Sequence, residues 1–390
     1  MIFWQIVFWL SLIMCIYIYA GYPAAIFIVS HLRGISVARQ RDLHPTVTLI
    51  VPAFNEAEAI ASKIENSLAL DYPADRVEIL VISDGSTDAT EDIVTELSVR
   101  HGRDRIRLLK QPRSGKAIAL NNAVKHAKGD ILVFTDANGL LEQQSLNRLV
   151  EPFADKDVGG VSGHKRYRTG TGADAIEQGE NLYWRYDTLQ KKLESRIGSI
   201  IAADGSLFAI RKDLYVPIED PAQADDMAIS MRVVLQGYRL IYEPTACVYE
   251  TPPADGRREF FRKVRVTNHS LRAMLNLGHA LWTSGWYSFQ LLSHKFFRHL
   301  VPIYLLGLFA ASAMLVGAAV EYQILFWAQS VFYTLALIGF SLRHNKVGRL
   351  FLVSIPYFFT SVNLAALFGI LSTLKGERCV TWQPREGISP

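Results

Sequence analysis

Cysteine is scarce in this chain of 390 residues: Cys15, Cys247 and Cys379 are scattered and odd in number. Such a set excludes a disulfide framework and a Cys-rich metal site, and it suits a reducing compartment for the polar middle of the chain. A strong charge imbalance is also lacking. The formal net charge is +4 and no long basic stripe interleaves with aromatics, so nucleic acid is not an expected partner. No G-x-G-x-x-G follows a predicted strand, and Gly115-Lys116 has neither the upstream Gly nor the following Ser or Thr of a phosphate-binding P-loop. Glycine amides are therefore not the expected holders of a nucleotide. No internal repeat or low-complexity linker interrupts the middle of the chain.

Charge is missing altogether from Ile2 to Ser30, a run long enough to cross a bilayer. The absent basic n-region and the length of the run favour a retained span over a signal peptide. His31, Arg33, Arg39 and Arg41 follow it, which puts that side in the cytoplasm by the positive-inside rule. Half of all residues are apolar, and apolar runs return at Leu300–Val320, Ile324–Leu342 and Leu350–Leu374. Arg343, His344, Lys346 and Arg349 separate the last two, and Pro356 interrupts the last. Four full spans put the C-terminus outside, yet Lys375, Arg378 and Arg385 prefer the cytoplasm, so one segment is expected to be re-entrant or interfacial. In "LWTSGWYSFQLLSHKFFRHL", Trp282, Trp286, Phe289, Phe296 and Leu300 follow helical spacing, which predicts an interfacial amphipathic helix over 276–299.

Between these flanks, strand-like and helical segments alternate. Thr46–Val51, Val77–Ile82, Arg105–Leu109 and Asp130–Phe134 read as strands, and helices are expected after Glu56, from Thr87 to Val94 and from Lys116 to Ala127. Successive βα units predict an α/β domain over 44–275 with a mostly parallel sheet. Acidic or amide side chains recur at the predicted strand ends: Asn55 and Glu56, then Asp84 and Asp88, then Asp136 and Asn138. Each loop alone is compatible with a turn or helix cap; three at one sheet edge point to a shared site. Carboxylates there can accept hydrogen bonds from a base or ribose, or hold a divalent cation that holds phosphate.

The stretches "VPAFNE", "SDGSTD", "FTDANG", "ADGSLFAIRKDL" and "QADDMAISMRVVLQGYRLIYEP", in this order, resemble the membrane-embedded family 2 glycosyltransferases, relatives of cellulose, hyaluronan and poly-N-acetylglucosamine synthases. The resemblance covers about Pro45 to Arg272. It implies a GT-A fold, a Rossmann-like cytosolic domain flanked by transmembrane helices, using a nucleotide-sugar donor, usually a UDP-sugar, with Mg²⁺ or Mn²⁺. By the same resemblance Asn55, Glu56 and Asp84 lie along the nucleoside, Lys116 approaches the nucleotide, and Asp136 and Asn138 form the D-x-D element that meets ribose and metal. Asn138 departs from that element, since an amide oxygen can ligate a hard cation but brings no charge. A turn residue before Gly139 is the other reading of Asn138. Asp225-Asp226 matches the T-E-D element, with Asp226 as general base. "EFFRKVRVTNHS" stands where the family has Q-x-x-R-W. Arg262 replaces Gln and is expected to bind the nucleotide sugar, Arg265 keeps the catalytic Arg, and Val266 replaces Trp.

These expectations make the chain an inverting glycosyltransferase of the inner membrane in surface polysaccharide synthesis, with its catalytic domain cytoplasmic. Its partners are a nucleotide-sugar donor, a glycan or lipid-linked acceptor and membrane lipids. Two alternatives stay open: transfer of a single sugar to a polyprenyl-linked or sphingolipid-like acceptor, and a non-catalytic membrane subunit that binds sugar. The expected segments are a transmembrane helix over 1–33, the domain over 44–275, the interfacial helix over 276–299, a transmembrane region over 300–374 and a tail over 375–390.

Overall fold

A computed structural model of the chain describes residues 1–167, 175–251, 256–343, 345 and 347–378, with 175–183 and 349 described by backbone alone. His344, Lys346, Cys379, Arg385 and the tail beyond 378, all used in the sequence reading, lie outside the described residues. The chain divides into two compact units. One comprises Gly34–Arg168 and Glu194–Pro252 with the tail; the other comprises Met1–Arg33, Thr169–Leu193 and Pro253–Glu377.

The first unit is built on an eight-stranded sheet in the order β3-β2-β1-β4-β7-β6-β8-β5. The strands are β1 (Val47–Ala53), β2 (Val77–Asp84), β3 (Ile106–Gln111), β4 (Ile131–Thr135), β5 (Leu140–Leu141), β6 (Val158–Tyr167), β7 (Leu207–Arg211) and β8 (Arg239–Glu250). Four of its seven pairings are parallel, which makes it a mixed sheet with a parallel half. The predicted βα units account for β1 to β4. Beyond β4 the pairings of β7 with β4 and β6 and of β5 with β8 are antiparallel, while β6 and β8 pair in parallel.

Period-2 geometry divides the buried strands between two cores. Leu49 and Val51 pack with Ile60, Ile64 and Val81 on one face. Ile50, Leu80, Ile82 and Phe134 pack with Leu120 and Phe208 on the other. Each such side chain contributes about 1.5–3 kcal/mol of burial, which explains why these strands read as continuous apolar runs. From β1 the order runs one way through β2 and the other through β4. This is the topological switch point, and the carboxyl ends of these strands open the crevice in which α/β sheets bind ligands.

The second unit is helical. Ile2–Leu32, Val320–Ser341 and Phe351–Leu374 are each long and apolar enough to cross a membrane. The first carries a π-helical turn at Tyr17–Gly21. In the segment expected as a span over Leu300–Val320, the helix Val301–Met314 has 14 residues and is bent by 56° from Trp286–His299; the two pass as a span only when taken together, as a broken span or a re-entrant loop. At about 1.5 Å per residue Val301–Met314 covers roughly 21 Å against a hydrocarbon core of about 30 Å. The segment over 276–299, expected as an interfacial helix, is interrupted. It breaks between Ala280–Thr283 and Trp286–Gln290, where Gly285 takes φ +58°, a conformation that ends an α-helix. The helix Gly256–Leu275, predicted as part of the polar domain, falls in this unit and packs on the last span, where Gly369 leaves room for Thr267.

Candidate active site

The loops after β1 and β2 are fastened to each other. Asn55 sits at φ +53°, a left-handed conformation asparagine tolerates. Its backbone N–H donates to Ser86 Oγ at 3.1 Å, and its Oδ1 accepts from the Thr87 N–H at 2.8 Å. Asp88 serves two helix starts, accepting from the Ala57 N–H and the Thr90 N–H at 3.0 Å each. Glu56 is the N-cap residue of the helix Ala57–Leu68, and its N–H donates to Thr90 Oγ1 at 2.9 Å. The second helix begins at Thr90 and not at Thr87, because Asp88 turns back to satisfy these N–H groups.

Asp84, at the end of β2, has no exposed surface. Its Oδ1 accepts from Gln111 Nε2 at 2.8 Å and the Ser114 N–H at 2.8 Å; its Oδ2 accepts from Arg113 Nη1 at 2.7 Å and the Gly115 N–H at 2.9 Å. Arg113 in turn lies 3.3 Å from the centroid of the Phe54 ring. Gly85 takes φ +74°, and a Cβ there would stand 2.8 Å from the Arg113 nitrogen. Four protein donors thus use Asp84 to hold the turn 111–115, whose end, Gly115, starts the helix Lys116–His126. That helix start places Lys116.

Lys116 Nζ lies 2.9 Å from Asp136 Oδ1, in the loop after β4, and 3.1 Å from Asp225 Oδ2, at the start of the helix Asp225–Leu235. The N-cap of that helix is Ala224, and both aspartates sit in its first turn. Burial lowers the Lys116 proton affinity, but Asp136, Asp225 and Asp226 outweigh it and the net direction is upward. Asp226 Oδ1 accepts from the Met227 N–H at 2.7 Å. Burial first, then the neighbouring Asp225, push the Asp226 carboxyl up to about 6, against the pull of Lys116. A carboxylate whose proton affinity is raised toward neutrality is suited to accept a proton. Gly205 makes its position possible, since a Cβ there would stand 2.9 Å from Asp226 Oδ2.

Sequence reasoning missed two buried groups. Lys63 has no exposed surface, and its Nζ donates to Thr135 Oγ1 at 2.8 Å and the Gly139 carbonyl at 2.5 Å. Burial pulls its ammonium down to about 7, with Asp136 and Glu250 opposing. The signal was present: Lys63 falls on the same face as Ile60 and Ile64, the apolar side of an amphipathic helix. Lys165 and Glu250 form a second buried pair at 2.9 Å across β6 and β8, a contact that no local pattern shows.

Asp136 and Asn138 offer hard oxygen donors, and among the described residues no cluster of three or more metal-ligating side chains exists. This donor set fits Mg²⁺ or Mn²⁺ bound by one or two protein oxygens with phosphate and water completing the shell. Arg262 and Arg265 lie on the helix Gly256–Leu275 of the helical unit. Arg262 makes a two-point ion pair with Glu259, Nε–Oε2 at 2.7 Å and Nη2–Oε1 at 2.6 Å, and Val266 is exposed.

A family model described as "Glycosyltransferase like family 2" matches residues 44–268. A probable glycosyltransferase, YdaM, of Bacillus subtilis is 30% identical over 223 residues, 54% of this chain and 51% of that protein. A poly-beta-1,6-N-acetyl-D-glucosamine synthase of Staphylococcus aureus is 27% identical over 219 residues, 53% of this chain and 50% of that protein. The chain therefore spans about half the length of the curated relatives it matches. Among solved structures, the mannosyltransferase PcManGT from Pyrobaculum calidifontis, in complex with GDP-Man and Mn2+, superposes with a TM-score of 0.74 at 23% identity, covering 95% of this chain and 100% of that one. That likeness establishes the GT-A fold.

Proposed function

The chain belongs to the glycosyltransferase-like family 2, and from that premise we propose that it moves a sugar from a UDP-sugar to a glycan acceptor hydroxyl, with inversion, during surface polysaccharide synthesis at the inner membrane. The observation that carries this reading is the meeting of Lys116 with Asp136, in the loop after β4, and Asp225, at the start of the helix Asp225–Leu235, with the Asp226 carboxyl raised toward neutrality beside them. The acceptor hydroxyl gives its proton to Asp226 as its oxygen bonds the anomeric carbon, and the nucleoside diphosphate leaves from the opposite face. Lys116 supplies a fixed positive charge beside Asp136, and Arg265 is assigned to the leaving diphosphate. By the family resemblance Arg262 is assigned to the nucleotide sugar; in this structure its guanidinium is paired with Glu259. Mg²⁺ or Mn²⁺ on Asp136 and Asn138 would neutralise charge growing on the diphosphate. Asn55 and Glu56 line the nucleoside side, and Asp84, expected to touch base or ribose, acts there through the turn 111–115, because its buried carboxylate already accepts from four protein donors. Arg33, Arg39 and Arg41, after the first span, support a cytoplasmic catalytic unit.

A screen of purified protein against UDP- and GDP-sugars, with and without Mn²⁺, scored by nucleotide release and product mass, tests the proposal. Release from none of them sinks it. A second reading is one-step transfer to a lipid-linked acceptor. It is supported by the exposed Trp282 and Trp286 beside membrane-spanning helices and by Val266, which offers no flat face for a pyranose ring to stack on. Product length separates the two readings, one sugar against a ladder.

Two further results are expected. The kcat/KM of the free enzyme should fall as pH drops through about 6, by tenfold per unit, because protonated Asp226 cannot accept a proton. The sign follows from the raised carboxyl: below that pH the acid form dominates, above it the base. A profile flat from pH 7 to 5 removes Asp226 from the role. Gly205→Ala should cost about 100-fold in kcat with donor KM kept, since its Cβ must push Asp226 by a substantial fraction of an ångström. Steady-state kinetics with varied donor measure the split.

A further inference from the structure

The helix Ala57–Leu68 turns Ile60, Ile64 and Ser67 into the core and Lys63 with them. The Lys63 ammonium ends under the turn after β4, donating to Thr135 Oγ1 at 2.8 Å and to the Gly139 carbonyl at 2.5 Å. These acceptors stand immediately before Asp136 and immediately after Asn138. A single side chain therefore fastens both ends of the turn that carries the acid paired with Lys116 and the amide beside it. Its charge is shared between Asp136 and Glu250, and Glu250 is in turn paired with Lys165 at 2.9 Å. Alternating charges thus continue from the turn into the sheet. Apolar residues of similar volume often match or exceed the stability of a buried ionic group, so stability alone is a poor reason for a lysine here.

We propose that Lys63 is a positioning residue of the donor subsite: it sets the turn Asp136–Gly139 before a nucleoside diphosphate sugar arrives, so that binding does not have to order it. The identity of the ligand rests on the glycosyltransferase reading, whereas the fastening of the turn does not. Preorganised supports of this kind are worth about 10–100-fold in affinity or activity when removed.

The test uses the full chain in detergent with Lys63→Met, which keeps the stem and loses charge and donors, and Lys63→Gln, which keeps an N–H₂ donor. Amide hydrogen exchange over residues 131–141 is compared with exchange over β2 in the same protein. Binding of UDP with Mn²⁺, donor KM and kcat are measured beside it. In Lys63→Met the turn should exchange faster by about tenfold, roughly what one lost hydrogen bond is worth, with β2 unchanged. Donor KM should rise by about 10–100-fold with a smaller change in kcat, and Gln should recover part of both. Unchanged exchange in a folded variant overturns the fastening. Faster exchange with unaltered UDP binding and donor KM overturns the link to the donor. If the Met variant does not fold, the Gln variant carries the same readouts. Failure of the wild-type chain to bind UDP or turn over any nucleotide sugar counts against the glycosyltransferase reading and removes the donor subsite with it, and the exchange data then decide the fastening by themselves.

Discussion

Asp226→Asn is expected to lose between about 10² and 10⁴ of the transfer rate while keeping its affinity for the nucleotide sugar. Asparagine preserves the side-chain shape and the oxygen that accepts from the Met227 N–H, so the first turn of the helix Asp225–Leu235 is undisturbed. What disappears is the proton acceptor, and with it the route by which a weakly nucleophilic sugar hydroxyl is activated as its bond forms. Initial rates with labelled nucleotide sugar, set beside calorimetric titration of the same variant, separate chemistry from binding. Near-normal turnover would move the base elsewhere, with Asp225 and Asp204 as the next carboxylates to examine, since both raise the proton affinity of Asp226.

Asp84→Ala should give the largest loss of stability. The substitution deprives the Arg113 guanidinium, Gln111, and the Ser114 and Gly115 N–H groups of their common acceptor at a position with no exposed surface. Removing one partner of a buried charged pair costs about 3–5 kcal/mol, which lowers the melting temperature of a unit of this size by roughly 6–20 °C. The turn 111–115 starts the helix that holds Lys116, so nucleotide affinity should fall even where the variant folds. Differential scanning fluorimetry in detergent and UDP titration measure both effects. A variant that melts with the wild type would show that the turn is held by other contacts.

Much of the site was legible as a set of loops. Acidic and amide residues at the ends of three predicted strands mark one sheet edge, because strands in successive βα units run parallel and bring their carboxyl ends together. The individual partners were not legible. Asp84 and Arg113 are far apart in sequence, and only the pairing of Asp84 with Gln111 across β2 and β3 brings the 111–115 turn onto the carboxylate. Lys63 was readable as an oddity on an apolar helix face, but its acceptors on the loop after β4 were not. Gly205 gave no signal, since its role is to leave space for an oxygen of a residue twenty-one positions later.

By itself, the sequence determined the elements that local chemistry controls: β-branched runs buried on both faces, amphipathic helices between them, and apolar segments long enough for a bilayer. It also determined the family, through short motifs whose order is kept. Tertiary structure alone decided the antiparallel placement of β7 between β4 and β6, because strand order and direction are set by contacts between segments distant in sequence. It decided the break at Gly285, where a positive φ outweighs helical spacing. It decided which acids share a cation, because Coulomb energy depends on distance through space and on burial, and sequence separation specifies neither.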